Sequence, residues 1–338
     1  MILTLSIISA SQILLFYLLD KLSYKFNLLD YPNSRKIHAR PTSYLGGIGI
    51  LATYFLIVFL TTSQNNFIHS IIIYGALIAF LGFVDDKILI TPIKKLVLQT
   101  VLILFFIYQN SFYLNDLGTY QLIGKISLGK FNIFFTLICC LLLINSLNYS
   151  DGIDGLGILN YIFVVSVYIF LSHNNNLYDI RNFLFFLIVP AIIFLVFNFG
   201  FKNYKFFLGD SGSNLLGFLI SFVSIGMYTK YNFHPILIMW PLGFLVYEFI
   251  STNFLRIINK KNIIGPGLDH LHYELKLIYK LSVININILI LLLNIILTTV
   301  GYLAYYKLNE LTSLVFYIFF FSVFLYFRIN LNRKTNRI

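Results

Sequence analysis

The chain of 338 residues is 59% hydrophobic, 18% aromatic and only 11% charged, with a mean hydropathy of +0.84. A soluble globular protein carries roughly 25% charged residues, so an ordinary soluble enzyme is excluded, and the formal charge of +11 points to loop orientation in a membrane before it points to nucleic acid. A spanning helix needs about 20 mostly apolar residues. Barrel strands would instead alternate over segments of roughly 10 residues, which continuous runs such as Phe183 to Val196 do not.

Hydropathy predicts eleven transmembrane helices, near residues 2–19, 44–62, 68–84, 96–109, 132–148, 155–172, 183–200, 211–229, 234–255, 282–306 and 311–327. The expected fold is an all-α, polytopic integral membrane protein, one domain over 1–338, with no internal repeat and no linker to divide it. The first run has neither a basic stretch before it nor a small-residue cleavage site after it, so it reads as a retained helix and not as a signal peptide. Cys139 and Cys140 are adjacent in the fifth run, where neighbours cannot easily bridge one another, and read as buried thiols. Between the fourth and fifth helices, Tyr120, Leu122, Ile126 and Leu128 around Gly124 suit a short hairpin.

If alternate loops share a side, nineteen of the 24 Lys and Arg residues fall on one of them, and only Lys125, Lys130, Arg181, Lys230 and Lys307 on the other. The positive-inside rule makes the first side cytoplasmic, with the N-terminus outside and the C-terminus inside. Ten of the 13 acidic residues gather on that same side, for which charge bias gives no reason. Carboxylates at the membrane surface are costly and mark functional sites. An acidic cluster among basic loops is what a metal and an anionic substrate require.

Four segments carry the chemistry. At the inner end of the third helix lie Gly82-Phe83-Val84-Asp85-Asp86-Lys87, followed by Lys94-Lys95 and Gln99; the paired carboxylates suit either Mg²⁺ and proton exchange beside phosphate-neutralising lysines or a solvated helix end. Next comes Asn145-Ser-Leu-Asn148-Tyr-Ser-Asp151-Gly-Ile-Asp154-Gly155, either a plain polar turn or one whose glycines let the backbone approach a ligand. In Gly209-Asp210-Ser211-Gly212-Ser213, Asp210 is either the N-cap of the eighth helix or part of a phosphate site at its N-terminus. The last is the long inside loop with Arg256, Lys260, Lys261 and Asp269-His270-Leu271-His272. Two histidines without a cysteine make a poor zinc set, so donation to phosphate oxygens fits them better.

Taken in order, and with Leu29-Asp30-Tyr31-Pro32-Asn33-Ser34-Arg35-Lys36-Ile37-His38, Pro41 and Leu45-Gly46-Gly47 in the first long loop, these segments resemble the polyprenyl-phosphate N-acetylhexosamine-1-phosphate transferases (glycosyltransferase family 4, MraY/WecA type), most closely the WecA-like branch. The likeness runs from residue 28 to 275. It implies transfer of a sugar 1-phosphate from a UDP-N-acetylhexosamine to a polyprenyl phosphate such as undecaprenyl phosphate at the cytoplasmic face of the inner membrane. UMP would be released, and Mg²⁺, or Mn²⁺ in its place, would be required. The resemblance also implies eleven helices with an outside N-terminus and a homodimer, while the apolar composition gives no reason to expect a nucleic-acid partner.

Residue by residue, the resemblance makes Asp210 a metal ligand supported by Asp86, and Asp85 the group that deprotonates or positions the lipid phosphate. Lys36, His38 and Lys95 would bind phosphate, Asn148, Asp151 and Asp154 the nucleotide and sugar, and Arg256, His270 and His272 the diphosphate. Attack on the sugar-bearing phosphorus would be direct, or by double displacement through a carboxylate. Two departures stand out: Tyr273 occupies the position of an expected third histidine, and the acidic residue expected after a proline near the ninth helix is matched only by Glu248 after a shift. Two rival readings are an inactive scaffold of the same fold and a divalent-cation transporter, although transporters place such carboxylates near the midplane and not on one face.

Overall fold

The structure, a computed structural model, describes residues 2–32, 40–61, 66–202, 204–263, 265 and 267–335. Lys36 and His38, two of the expected phosphate ligands, lie outside the described residues. The chain runs α1 (Ile2–Lys25), β1 (Leu29–Asp30), β2 (Thr42–Ser43), α2 (Gly46–Thr61), α3 (Asn66–Ile88), α4 (Pro92–Asn110), β3 (Asp116–Tyr120), β4 (Gly124–Ser127), α5 (Asn132–Ser150), α6 (Leu156–Asn174) and α7 (Tyr178–Phe199). It continues with α8 (Gly209–Thr229), α9 (Pro235–Met239), α10 (Gly243–Ile258), α11 (Leu271–Tyr279), α12 (Val283–Lys307) and α13 (Glu310–Thr335).

Among the described residues, ten helices are long and apolar enough to cross a membrane, counting Pro235–Ile258 as one span, and α2 is a shorter apolar helix. Each of the eleven predicted segments is thus helical. The ninth is interrupted by a 3₁₀ turn at Trp240–Leu242, where Pro241 has no N–H to continue the α-helical ladder. The expected hairpin is β3 paired antiparallel with β4, Tyr120 opposite Gly124. Cys139 and Cys140 are both free. Hydropathy did not predict α11, which is short and amphipathic, nor the two-residue pairing of β1 with β2.

The bundle is organised around α8, nearly every residue of which is buried from Ser211 to Met227. Lipid tails are as apolar as leucine, so membrane helices associate through close packing of small residues and not through a hydrophobic driving force. The sequence supplies those residues where they are needed. A Cβ on Gly47 of α2 would run into the backbone of Gly212, one on Gly82 of α3 into the backbone of Asp210, and one on Gly217 into the Cα of Ile144 in α5. Ahead of α8, the 206–208 segment is pinned to the start of α2, with Gly46 and Gly47 N–H donating to the carbonyls of Phe207 (3.1 Å) and Leu208 (3.0 Å). Phe207 N–H in turn donates to Ser43 (2.8 Å). Packing therefore fixes the position of the α8 N-terminus to the backbone level.

Overpacking of this kind costs roughly 1–3 kcal/mol. Gly217→Leu is expected to lower the thermal midpoint of the detergent-solubilised protein, whereas Gly226→Ala, whose Cβ would meet only Phe112 at 3.4 Å, is expected to leave it unchanged; equal midpoints would contradict the close α5–α8 contact.

Candidate active site

A buried helix start leaves backbone N–H groups that need acceptors. Residue Leu208 at the head of α8 supplies no side-chain cap. The acceptor comes from α3 instead: Asp86 takes the N–H of Asp210 on Oδ1 (3.0 Å) and that of Ser211 on Oδ2 (3.3 Å). A carboxylate there also meets the positive end of the helix dipole. Gly209 makes the approach possible, since it has φ +70° and any Cβ would lie 2.8 Å from Asp86 Oδ2. The N-cap role that the sequence left open for Asp210 therefore belongs to Asp86.

Asp210 is consequently free to turn its carboxylate to other partners. The Lys95 ammonium on α4 donates to Asp210 Oδ2 and pairs with Asp85 at 3.0 Å. Asn148 on α5 donates to Asp210 Oδ1 (2.7 Å) and to the Ser213 hydroxyl (3.1 Å). Asp85 accepts the Ile90 N–H at 2.7 Å and so closes the α3–α4 turn. One helical turn deeper, Gln99, Asn145 and Asn214 form a second polar layer, Asn145 donating to Gln99 (3.4 Å) and Gln99 to Asn214 (3.3 Å). The same three helices are thereby tied together twice.

The turn 151–155 faces this node across a cavity of about 710 Å³. Gly155 takes φ +87° and donates its N–H to Asn198 (2.6 Å), while Asn287 of α12 donates to the Asp154 carbonyl (2.8 Å). Lys205 pairs with the Asp154 carboxylate at 2.6 Å. Burial, and then the charges of Asp210, Asp86 and Asp154, push the Asp151 carboxyl well above its ordinary range. Tyr273 donates its hydroxyl to the Gly152 carbonyl (3.0 Å). In place of the expected third histidine there is thus a neutral group that braces the turn.

The cavity is lined by Asp85, Asp86, Lys95, Asn148, Asp151, Asp154, Asp210 and His270. Two other expected ligands stand outside its lining. Arg256 is 2% exposed, and its guanidinium is committed: Nε and Nη2 grip the Asp269 carboxylate (2.9 and 2.7 Å), and Nη1 donates to the carbonyls of Ile263 and Gly265 (both 2.9 Å). It organises the 256–269 loop. Although burial works against it, this fork holds the Asp269 carboxylate below its ordinary range. His272 is buried behind Gly152, and burial, then the neighbouring His270, lowers its imidazole to about 3. Glu248 does not reach the carboxylate node; its Oε1 accepts the Leu271 N–H (2.8 Å) beneath the histidine turn. Lys205 is a charged cavity residue that sequence reading missed, having been counted only as loop charge. Its place four residues before Gly209 was the available signal.

Among the described residues no three His, Cys, Asp or Glu side chains form a ready metal cage. Mg²⁺ does not need one, because one or two carboxylates suffice when waters and substrate phosphates complete its shell. Asp210 fits that donor set: it is a hard oxygen ligand whose Oδ2 already holds a cationic group, the Lys95 ammonium.

Comparison with known proteins finds a family and named relatives that this chain resembles. The model of the family described as glycosyl transferase family 4 matches residues 68–228. An undecaprenyl-phosphate alpha-N-acetylglucosaminyl 1-phosphate transferase of Yersinia pestis is 27% identical over 259 residues, covering 75% of this chain and 70% of its own. The protein of the same name from Escherichia coli K12 is 26% identical over 317 residues, 90% of this chain and 84% of its own. A probable undecaprenyl-phosphate N-acetylglucosaminyl 1-phosphate transferase of Bacillus subtilis is 26% identical over 263 residues, 76% and 72% respectively.

The His272 environment generates a pH prediction. With a folded value near 3 against an ordinary 6.5, the folded protein binds fewer protons than the unfolded chain in that window, so this contribution to stability is complete above pH 6.5 and is lost as pH falls. Thermal unfolding between pH 6.5 and about pH 5, where most carboxylates are still ionised, is expected to show a falling midpoint that His272→Phe flattens. An unchanged slope in the variant would remove the assignment of a neutral buried imidazole.

Proposed function

We propose that this chain is a member of glycosyl transferase family 4 and that it transfers an N-acetylhexosamine 1-phosphate, with N-acetylglucosamine the first candidate, from a UDP-sugar to undecaprenyl phosphate, releasing UMP. The observation that carries this reading is the node in which Lys95 bridges Asp85 and Asp210 while Asn148 holds the other Asp210 oxygen. Such a node offers fixed charge of both signs on the cavity wall, the Lys95 ammonium for a phosphate oxygen and the Asp210 carboxylate for an accompanying cation. Its supports come from helix ends at one end of the bundle, and the distribution of Lys and Arg argues that this end faces the cytoplasm.

In the proposed reaction a lipid phosphate oxygen forms a bond to the sugar-bearing phosphorus of the donor as the bond to the UMP oxygen breaks. Lys95 neutralises the incoming phosphate. Asp85, beside it, orients that phosphate and accepts a proton from its monoanionic form. Asn148 keeps Asp210 turned toward the cavity, and Asp86 keeps the α8 N-terminus in place. Mg²⁺, held through Asp210, would supply charge neutralisation to the diphosphate and to departing UMP. Both oxygens of Asp86 accept backbone N–H groups, and Asp85 is engaged by Ile90 and Lys95. With both oxygens taken, Asp86 is a poor nucleophile, and a base role for Asp85 accords with direct in-line attack over a covalent intermediate. Lys205 and the 151–155 turn face the node as the binding side for the nucleotide and sugar.

Purified protein with undecaprenyl phosphate and a panel of UDP-N-acetylhexosamines is expected to release UMP in Mg²⁺ and not in EDTA. Asp85→Asn and Asp210→Asn are each expected to lose roughly 10²–10⁴-fold in turnover with an unaltered thermal midpoint. Near-normal turnover by folded Asp210→Asn would remove its role as metal ligand, and UMP release without lipid would refute the transfer.

A further inference from the structure

Arg328 belongs to the C-terminal segment whose basic residues the sequence explains as positive-inside charge, yet it is 0% exposed. A buried cation is retained only where partners compensate it. Arg328 has several. Its Nε pairs with Glu248 Oε2 at 3.2 Å, Nη1 donates to Glu274, and Nη2 donates to the Thr252 hydroxyl (3.1 Å) and to the Asp269 carbonyl (2.7 Å). One guanidinium thus faces two carboxylates and a carbonyl, more acceptors than its own neutralisation requires.

Those partners are the supports of the histidine turn. Glu248 Oε1 accepts the Leu271 N–H at 2.8 Å and the Thr252 hydroxyl at 3.0 Å, and stands 3.7 Å from His270 Nδ1. Glu274 lies in the first turn of α11, immediately after the histidines. Arg328 therefore holds the turn directly at the carbonyl before His270, and through Glu248 at the N–H after it. From the other flank the Arg256 fork fixes the Asp269 side chain. His270, at the apex, is the residue of this turn that lines the reaction cavity.

We propose that Arg328 is a positioning residue for His270: from α13, it locks the Asp269–Leu271 turn so that the imidazole is presented to the cavity on the donor-diphosphate side. The effect on turnover rests on the cavity being the UDP-sugar site; the effect on the turn does not.

Both can be measured on the full-length protein in detergent, comparing wild type, Arg328→Lys, Arg328→Met and the triple variant Arg328→Met/Glu248→Gln/Glu274→Gln. The triple variant removes the buried charges together, so that unpaired carboxylates do not unfold the protein, while still deleting the hold on the Asp269 carbonyl. Hydrogen exchange is expected to quicken in peptides spanning 267–273 of the methionine-containing variants and to stay unchanged in α3 and α8. In UMP release, kcat/KM for UDP-N-acetylglucosamine is expected to fall by up to about 10²-fold, the scale of a misplaced group, with KM for undecaprenyl phosphate unmoved and partial recovery in Arg328→Lys. Unchanged exchange at 267–273 in the triple variant would overturn the proposal. So would protection lost throughout its bundle, since Arg328 would then serve the whole fold, or equal effects on donor and lipid. Failure of the wild type to release UMP would instead sink the transferase reading, leaving the exchange result to decide the role of Arg328.

Discussion

Everything at the cavity depends on one unmet requirement, the orphan backbone N–H groups at the start of α8. From Ser211 onward that helix is enclosed by protein, so the N–H groups it turns inward need protein acceptors, and buried donors left without one are costly. Asp86 answers from α3, at 3.0 and 3.3 Å, and glycines at 47, 82, 209 and 212 bring the backbones close enough for it to reach. Because the cap is supplied in trans, Asp210 does not have to spend its own carboxylate on the helix. The small-residue packing of the membrane bundle and the chemistry of the node are two consequences of a single geometric solution.

Charge makes the same point from another direction. Among the described residues, Asp30, Asp85, Asp86, Asp151, Asp154 and Asp210 line the cavity with Lys95 and Lys205 as the lysines among them. Burial, and on top of it that crowding of carboxylates, raises Asp151 above its ordinary range, and part of the surplus is offset by the α8 dipole. A diphosphate and a lipid phosphate would add negative charge to a site that already has too much. Such a site is electrostatically reasonable only if cations enter with the substrates, which is why a metal belongs in the proposed reaction even though lysines are present.

Much of this was legible in the chain. Eleven hydropathy peaks became eleven apolar helical segments, and the aspartate motifs converged because each sits at the end of a helix on the side that the Lys and Arg distribution marks. What was not legible were partnerships between distant segments. Asp86 and Asp210 are 124 positions apart, and nothing in either motif says which of the two caps the helix. Arg256 had the composition of a phosphate ligand, but its partner Asp269 lies across a loop whose path hydropathy does not describe. Lys205 and Arg328 were absorbed into the loop-charge count, since the positive-inside rule accounts for a cation equally well whether it is solvated or buried.

The two halves of the cavity are held by different means, and this bears on how each can change. The carboxylate node lies within residues 68–228, the segment that matches the family, and its polar layers are set on backbone-to-backbone contacts that leave no room for a side chain. The histidine turn lies beyond that segment and is fixed by a buried polar network, in which Arg328, Glu248, Glu274 and Asp269 share donors and acceptors. Glycine contacts tolerate almost no substitution, whereas a network can exchange members so long as its donors and acceptors stay matched. Tyr273 is an instance: a phenol bonded to the Gly152 carbonyl holds the 151–155 turn at a position where the resemblance implied a third histidine. The carboxylate node is therefore built to stay constant, and the histidine-turn side of the cavity to be retuned from α11 and α13.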